Sequence, residues 1–128
     1  MFTIADIEDV HDRLGAPATL PEYLRALNAM GVARSDSFLS DGHSEYFGED
    51  GYRVVGTATH EELVVARVAD ADQAREHLQR AGQGESSYVE MSKGLAASGI
   101  AKWTFDTKRM TISYCDVAGN EVLTESVS

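Results

Sequence analysis

The chain has 128 residues, with 21 acidic and 11 basic side chains and a formal net charge of −10 at pH 7. A protein that binds nucleic acid generally needs a basic surface for the phosphates, so this charge argues against nucleic acid as a partner. No apolar stretch approaches the roughly 20 residues of a membrane span. The single cysteine, Cys115, allows no intramolecular disulfide and fits a reducing compartment. Together these features predict a cytoplasmic protein that has no membrane partner.

The chain begins with two predicted helices. Thr3 is the expected N-cap of the first, with Asp6 three residues later and apolar residues at helical spacing after it. The second helix is expected to begin with a capping box of Thr19 and Glu22. Gly31 is expected to end it in a left-handed conformation.

Strands are predicted next, over residues 33–40 and 43–47. They flank Asp41-Gly42, a dipeptide that favours a type I′ hairpin turn. A tight turn then leads to a short strand over residues 52–55. Residues 62–68 are rich in β-branched side chains and predict a fourth strand, with a helix as the alternative.

The second half repeats this plan. A helix is expected from Asp70 to about Arg80, and another begins at a capping box of Ser87 and Glu90 and ends at Gly99. Three strands then follow, over residues 102–106, 110–115 and 121–127.

An internal repeat underlies the similarity of the halves. Residues 19–54 recur without gaps as residues 87–122, with eight identities that include both helix-ending glycines. The pattern predicts one α+β domain over residues 1–128, built by duplication from half-repeats of about 1–69 and 70–128. We expect an antiparallel sheet with helices packed on one side and a pseudo-two-fold axis between the halves.

Several short motifs also resemble a known family. They are Met1-Phe-Thr-Ile4, Ser40-Asp-Gly-His43, Tyr46-Phe-Gly48, Ser98-Gly-Ile100, Lys102-Trp103, Tyr114 with Asp116, and Ala118-Gly-Asn-Glu121. Together they resemble an uncharacterised bacterial domain-of-unknown-function family whose members are often labelled "phage envelope protein". The resemblance implies a small single domain, a prophage association and no established catalytic residues.

The two halves differ where their hairpins are expected to face the core. The second half has Trp103, Phe105, Ile112 and Tyr114 at positions where the first half has Ser35, Ser37, Ser44 and Tyr46. Burying hydroxyl groups without partners is costly. Either the first half therefore lines a polar cleft, or its register is flipped so that Phe38 and Phe47 are buried instead.

The polar-cleft alternative supplies the candidate site. His43, Asp41 and Tyr46 are candidate catalytic residues, because a histidine beside a carboxylate can serve as a general base. The alternative is a hairpin turn in which Asp41 bonds its own backbone and His43 is exposed.

Candidate ligand-binding residues come from both hairpins. They are Ser35, Ser37 and Ser44 in the cleft, and Trp103 with Tyr114 as a stacking platform. The alternative for the aromatic pair is an ordinary place in the core. The sequence predicts no metal site and no cofactor, since its histidines and single cysteine lack ligand spacing.

These observations favour a non-catalytic binding or regulatory module with a protein or small-molecule partner. We also expect that it can form a homodimer through exposed strand edges beside residues 62–68. A small hydrolase or isomerase-like enzyme using His43 and Asp41 is the alternative. A third interpretation is an acidic inhibitor or nucleic-acid mimic, for which acidic groups would have to line one face.

Overall fold

A computed structural model describes residues 2–14, 19–56 and 62–127, and the side chains of Asp50 and Tyr88 are outside this description. Within these ranges the helices are α1 (Ile4–Leu14), α2 (Leu20–Ala29), α3 (Ala71–Gly82) and α4 (Tyr88–Ala97). The strands are β1 (Val32–Phe38), β2 (Ser44–Gly48), β3 (Arg53–Val55), β4 (Lys102–Asp106), β5 (Thr111–Cys115) and β6 (Glu121–Ser126). A 3₁₀ turn (Glu49–Gly51) joins β2 to β3.

The helix starts confirm most of the predicted caps. Thr3 and Asp6 exchange backbone-to-side-chain hydrogen bonds at the start of α1, and Ser87 with Glu90 forms the capping box of α4. The capping box predicted at Thr19 is wrong, because the Thr19 hydroxyl donates to the Leu14 carbonyl at 2.7 Å and makes no capping bond to α2. The sequence also predicts that Gly15-Ala16-Pro17 ends the first helix, and these residues lie outside the described ranges.

The strands form one antiparallel sheet in the order β3-β2-β1-β4-β5-β6. The two three-stranded halves therefore meet at β1 and β4. In that central pair Asp36 lies opposite Thr104, and these are equivalent positions of the sequence repeat. This register fits a two-fold relation between the halves, whereas the duplication itself stays a prediction.

The register also decides which side chains share a face. Ser35 pairs with both Tyr46 and Phe105, and Trp103 pairs with Tyr114, so these residues lie on one side, which we call the inner face. A single buried cluster joins inner-face side chains to residues from α1, α2, α3 and α4. The helices therefore pack on the inner face, as predicted.

The opposite side, the outer face, holds Phe38, Glu45, Phe47 and Lys102. None of these joins the buried cluster. The flipped register, which would have buried Phe38 and Phe47, is therefore wrong. The inner face of the first half does carry the serines.

Two local predictions are also wrong. Residues 62–68 form no strand, and the described edges of the sheet are β3 and β6. The segment is fixed by single backbone bonds, from the Leu63 N–H to the Ser40 carbonyl and from the Ala66 N–H to the Ala96 carbonyl. The expected type I′ turn is a five-residue loop, residues 39–43, in which Gly42 but not Asp41 has a positive φ.

None of the helices in the described ranges is both long and apolar enough to cross a membrane.

Candidate functional site

The loop that joins β1 to β2 has a defined internal structure. The Phe38 N–H donates to the His43 carbonyl at 2.9 Å, and the Gly42 N–H donates to the Phe38 carbonyl at 2.8 Å. Leu39 is fully buried in the core cluster and draws the chain inward at the end of β1. This inward residue explains why the connection is longer than a two-residue turn.

His43 lies between two carboxylates. Its Nδ1 is 2.6 Å from Asp41 Oδ1, and its Nε2 is 3.0 Å from Glu45 Oε2. The hydrogen bond to Asp41, followed by the one to Glu45, raises the pKa of the imidazole, since both favour the charged ring. The His43 backbone N–H and ring in turn lower the pKa of Asp41, and the ring and Arg53 lower the pKa of Glu45.

The imidazole of His43 also stacks on the ring of Phe38. The two ring centroids are 4.6 Å apart and the planes differ by only 7°. Arg53 extends the network by donating from Nε and from a terminal guanidinium nitrogen to Glu45 Oε1, at 2.9 and 2.7 Å. The loop is thereby attached to the outer face through stacking and charged hydrogen bonds.

This geometry separates the candidate catalytic residues. His43 and Asp41 are in contact, but His43 stacks on the outer face whereas Tyr46 lies on the inner face. A general base needs a ring nitrogen that is free to accept a proton. Both nitrogens of His43 are already paired with carboxylates, and its raised pKa favours the protonated ring.

The candidate ligand-binding serines line the inner face as expected for a polar strip. Ser35 is 1 % exposed, and the hydroxyls of Ser37 and Ser44 are within 3.0 Å of each other. The helices cover this face, and neither of the clefts described below includes these serines. Ser35 is therefore buried on this face, whereas Ser37 and Ser44 are half-buried and contact each other between β1 and β2.

The aromatic candidates lie in the core. Trp103 and Tyr114 are directly paired across β4 and β5 and are 7 % and 4 % exposed. Burial raises the pKa of the Tyr114 hydroxyl. Neither ring presents a face at the surface of the structure.

An open cleft of about 350 Å³ lies at the end of the sheet where His43 is located. It is lined by Phe38, Ala101, Lys102 and residues 116–119, and we call it the Phe38 cleft. The Lys102 ammonium lies over the Phe38 ring, 6.0 Å from its centroid. The cleft therefore combines apolar side chains, a fixed aromatic ring, one cation and the carboxylate of Asp116.

The carboxylate of Asp116, at the edge of this cleft, is hydrogen-bonded to the backbone of its own turn. Its Oδ1 accepts hydrogen bonds from the Ala118 and Asn120 N–H groups, at 3.0 and 2.9 Å. Cys115 is the cross-strand neighbour of Lys102, and burial raises the pKa of its thiol. A thiol with a raised pKa is a poor nucleophile at neutral pH.

A second cleft, of about 360 Å³, lies at the opposite end of the sheet. We call it the Lys108 cleft. It is lined by Phe2, Asn28, residues 30–33, Gly48, Glu49, Tyr52 and Lys108. Its cation is already paired, because Lys108 donates directly to Glu49. The Tyr52 hydroxyl is also engaged and donates to the Phe2 carbonyl at 2.7 Å.

Phe38, Lys102 and Glu45 were not among the site residues predicted from the sequence. A signal was present, because Phe38 and Glu45 alternate with the serines and so belong to the opposite face of the same strands. Their proximity to Lys102 depends on the pairing of β1 with β4, which joins residues far apart in the chain. Across the described ranges, no three histidine, cysteine or carboxylate side chains form a group that could hold a metal ion.

The chain is an α+β protein whose helices pack on one side of a six-stranded antiparallel sheet, and an open cleft lies at one end of the sheet beside Phe38 and Lys102. A family model described as "Protein of unknown function (DUF1398)" matches residues 8–126. The chain therefore belongs to this family, which agrees with the resemblance to an uncharacterised family. A search of curated proteins finds no match. The phage association stays a prediction.

Proposed function

We propose that this protein is a non-catalytic binding module, and that the Phe38 cleft takes the apolar part of a small organic acid. The volume of about 350 Å³ is within the range of small-molecule sites. Phe38, Ala101 and Val117 supply apolar contacts, and Lys102 supplies the charge that attracts a carboxylate.

The observation that carries this proposal is the arrangement of charged groups around the Lys102 ammonium. Its nearest carboxylate oxygen is Asp36 Oδ2 at 4.0 Å. The other oxygen of Asp36 accepts a hydrogen bond from the Thr104 hydroxyl at 2.8 Å and lies 3.8 Å from Arg34. Asp36 is thus shared among several groups, which leaves the Lys102 ammonium able to bind an incoming anion.

The Lys108 cleft is a less favourable binding site for such a ligand. Binding an acid there would require Lys108 to exchange its contact with Glu49. Of its two aromatic residues, Phe2 is 3 % exposed, and Tyr52 has its hydroxyl bonded to the Phe2 carbonyl. An enzyme that uses His43, Asp41 and Tyr46 is disfavoured by the separation of Tyr46 from the pair and by the occupied nitrogens of His43.

The test uses two probes of similar size and opposite charge, phenylacetate and phenethylamine. We expect phenylacetate to bind with a Kd on the order of 1 mM, as suits a small probe in an open cleft, and phenethylamine to bind at least about tenfold more weakly. Lys102→Met should remove this preference, because it keeps the apolar stem and deletes the charge. Phe38→Ala should weaken phenylacetate binding.

The matched control is Phe47, the other phenylalanine of the outer face, which lies under the Arg34 guanidinium at 4.3 Å. Phe47→Ala should leave phenylacetate binding unchanged. Equal losses in Phe38→Ala and Phe47→Ala, or equal binding of the two probes by the wild-type protein, would contradict the proposal. The cytoplasmic location and the phage context stay predictions.

A further inference from the structure

Two of the most exposed apolar side chains of the described structure lie on one short segment. Val64 is 93 % exposed and Val68 is 81 % exposed. Between them, Val65 packs against the core cluster, as does Leu63 before them. The segment thus presents valines outward while its alternate residues hold it to the protein.

The segment is anchored rather than loosely attached. The Leu63 N–H is bonded to the Ser40 carbonyl at 2.7 Å and the Ala66 N–H to the Ala96 carbonyl at 2.9 Å. Further along, the Val68 carbonyl lies against Gly99. The valines are therefore displayed on a fixed backbone, which lowers the entropy lost when a partner binds.

The charges of this segment are complementary to those of a second copy. Glu62 and Arg67 lie toward its opposite ends, both are exposed, and neither makes an ion pair with another described residue. Two copies that approach antiparallel across a two-fold axis bring each Glu62 to the Arg67 of the other, with Val64 in between. For a chain of net charge −10, such a locally neutral patch avoids the repulsion that other surfaces would impose.

We propose that residues 62–68 are a self-association surface at which two copies of this chain meet antiparallel. The contact is isologous, since the same patch serves on both copies. It involves side chains of a short segment, so it belongs to the small, weak class of interfaces. This inference is independent of the Phe38 cleft and goes beyond the proposed binding function.

Sedimentation analysis of the whole protein, from about 10 µM to about 1 mM, suits a weak interface of this kind. We expect a reversible monomer–dimer equilibrium, with a dissociation constant that Val64→Lys raises at least tenfold. Val89→Lys is the matched control, because Val89 is also an exposed valine, at 41 %, but lies on α4. A wild-type protein that is monomeric over this range, or equal effects of the two substitutions, would overturn the proposal.

A charge swap tests the antiparallel arrangement. Glu62→Arg and Arg67→Glu should each weaken the dimer, because each places like charges together. The double variant should restore wild-type association, since it re-forms both pairs with exchanged signs. A double variant as weak as the single ones would contradict the arrangement, and circular dichroism of each variant checks that it is folded.

Discussion

Ser92 has a buried hydroxyl group that makes no hydrogen bond with a described residue. It lies in α4, is fully buried, and its Oγ has no partner among the described residues. A buried polar atom without a partner costs about 1–3 kcal/mol. Ser98, at the end of the same helix, is equally buried but donates from its Oγ to the Gly94 carbonyl at 2.8 Å.

We therefore expect Ser92→Ala to raise the free energy of unfolding by about 1 kcal/mol, because it removes an unpaired polar atom and favours the helix. Ser98→Ala should lower it by about 0.5–1 kcal/mol. Urea unfolding of the two variants beside the wild type measures both changes. A loss of stability in Ser92→Ala would indicate that its hydroxyl is satisfied in solution.

Gly31 and Gly99 are equivalent residues of the repeat in different surroundings. Both end a helix with a positive φ, +104° and +86°. A Cβ on Gly31 would meet no described atom within 4 Å, whereas one on Gly99 would lie 2.5 Å from the Val68 carbonyl oxygen. Residues 68–69 thus cover the second helix end closely.

Gly31→Ala should cost about 1–2 kcal/mol, which is the conformational penalty of a left-handed residue alone. Gly99→Ala should cost at least about 1–3 kcal/mol more, because the backbone of residues 68–69 must also move. The two midpoints in urea unfolding compare the costs directly. Equal costs would show that the contact with residues 68–69 is absent in solution.

At the scale of the element, the loop of residues 39–43 should carry a pH-dependent contribution to stability. The raised pKa of His43 stabilises the folded state below the ordinary histidine value and loses this effect as pH rises through the folded pKa. The lowered pKa values of Asp41 and Glu45 act in the opposite direction, and their effect is lost as pH falls through the folded values. The loop is thus most stable at mildly acidic pH.

We expect the unfolding free energy to fall by up to about 1 kcal/mol more in the wild type than in His43→Gln between about pH 5.5 and about pH 8.5. Glutamine cannot be protonated but keeps a polar side chain of similar length. Unfolding titrations at the two pH values measure the difference. Identical pH dependence in both proteins would contradict the charged-ring account of His43.

The helices and strands that could be predicted from the sequence are those determined by residues close together in the chain. Ser87 and Glu90 predict the start of a helix, because a capping box requires only two residues that are three positions apart. The three strands of the second half were predicted within one residue at every end, and in β4 and β5 the apolar residues alternate with polar ones. Residues 62–68 are rich in β-branched side chains but form no strand, because their backbone bonds to a loop and a helix rather than to a strand edge.

At the scale of the whole molecule, the sequence repeat indicated where the halves differ but not what the difference means. The serines of β1 and β2 do face inward, yet Ser35 is buried and Ser37 and Ser44 are half-buried against each other. The Phe38 cleft depends on the pairing of β1 with β4, which places Lys102 opposite Phe38 and joins the two halves of the chain. Such contacts follow from strand order, which local patterns do not specify.

We expect a small organic acid to bind at the Phe38 cleft and not at the Lys108 cleft. The most direct measurement is the map of backbone amide chemical shifts as phenylacetate is added to the ¹⁵N-labelled protein. We predict saturable changes at Phe38, Lys102 and Val117, with Gly31 and Lys108 unaffected. Changes centred on Gly31 and Lys108, or none at millimolar phenylacetate, would contradict it.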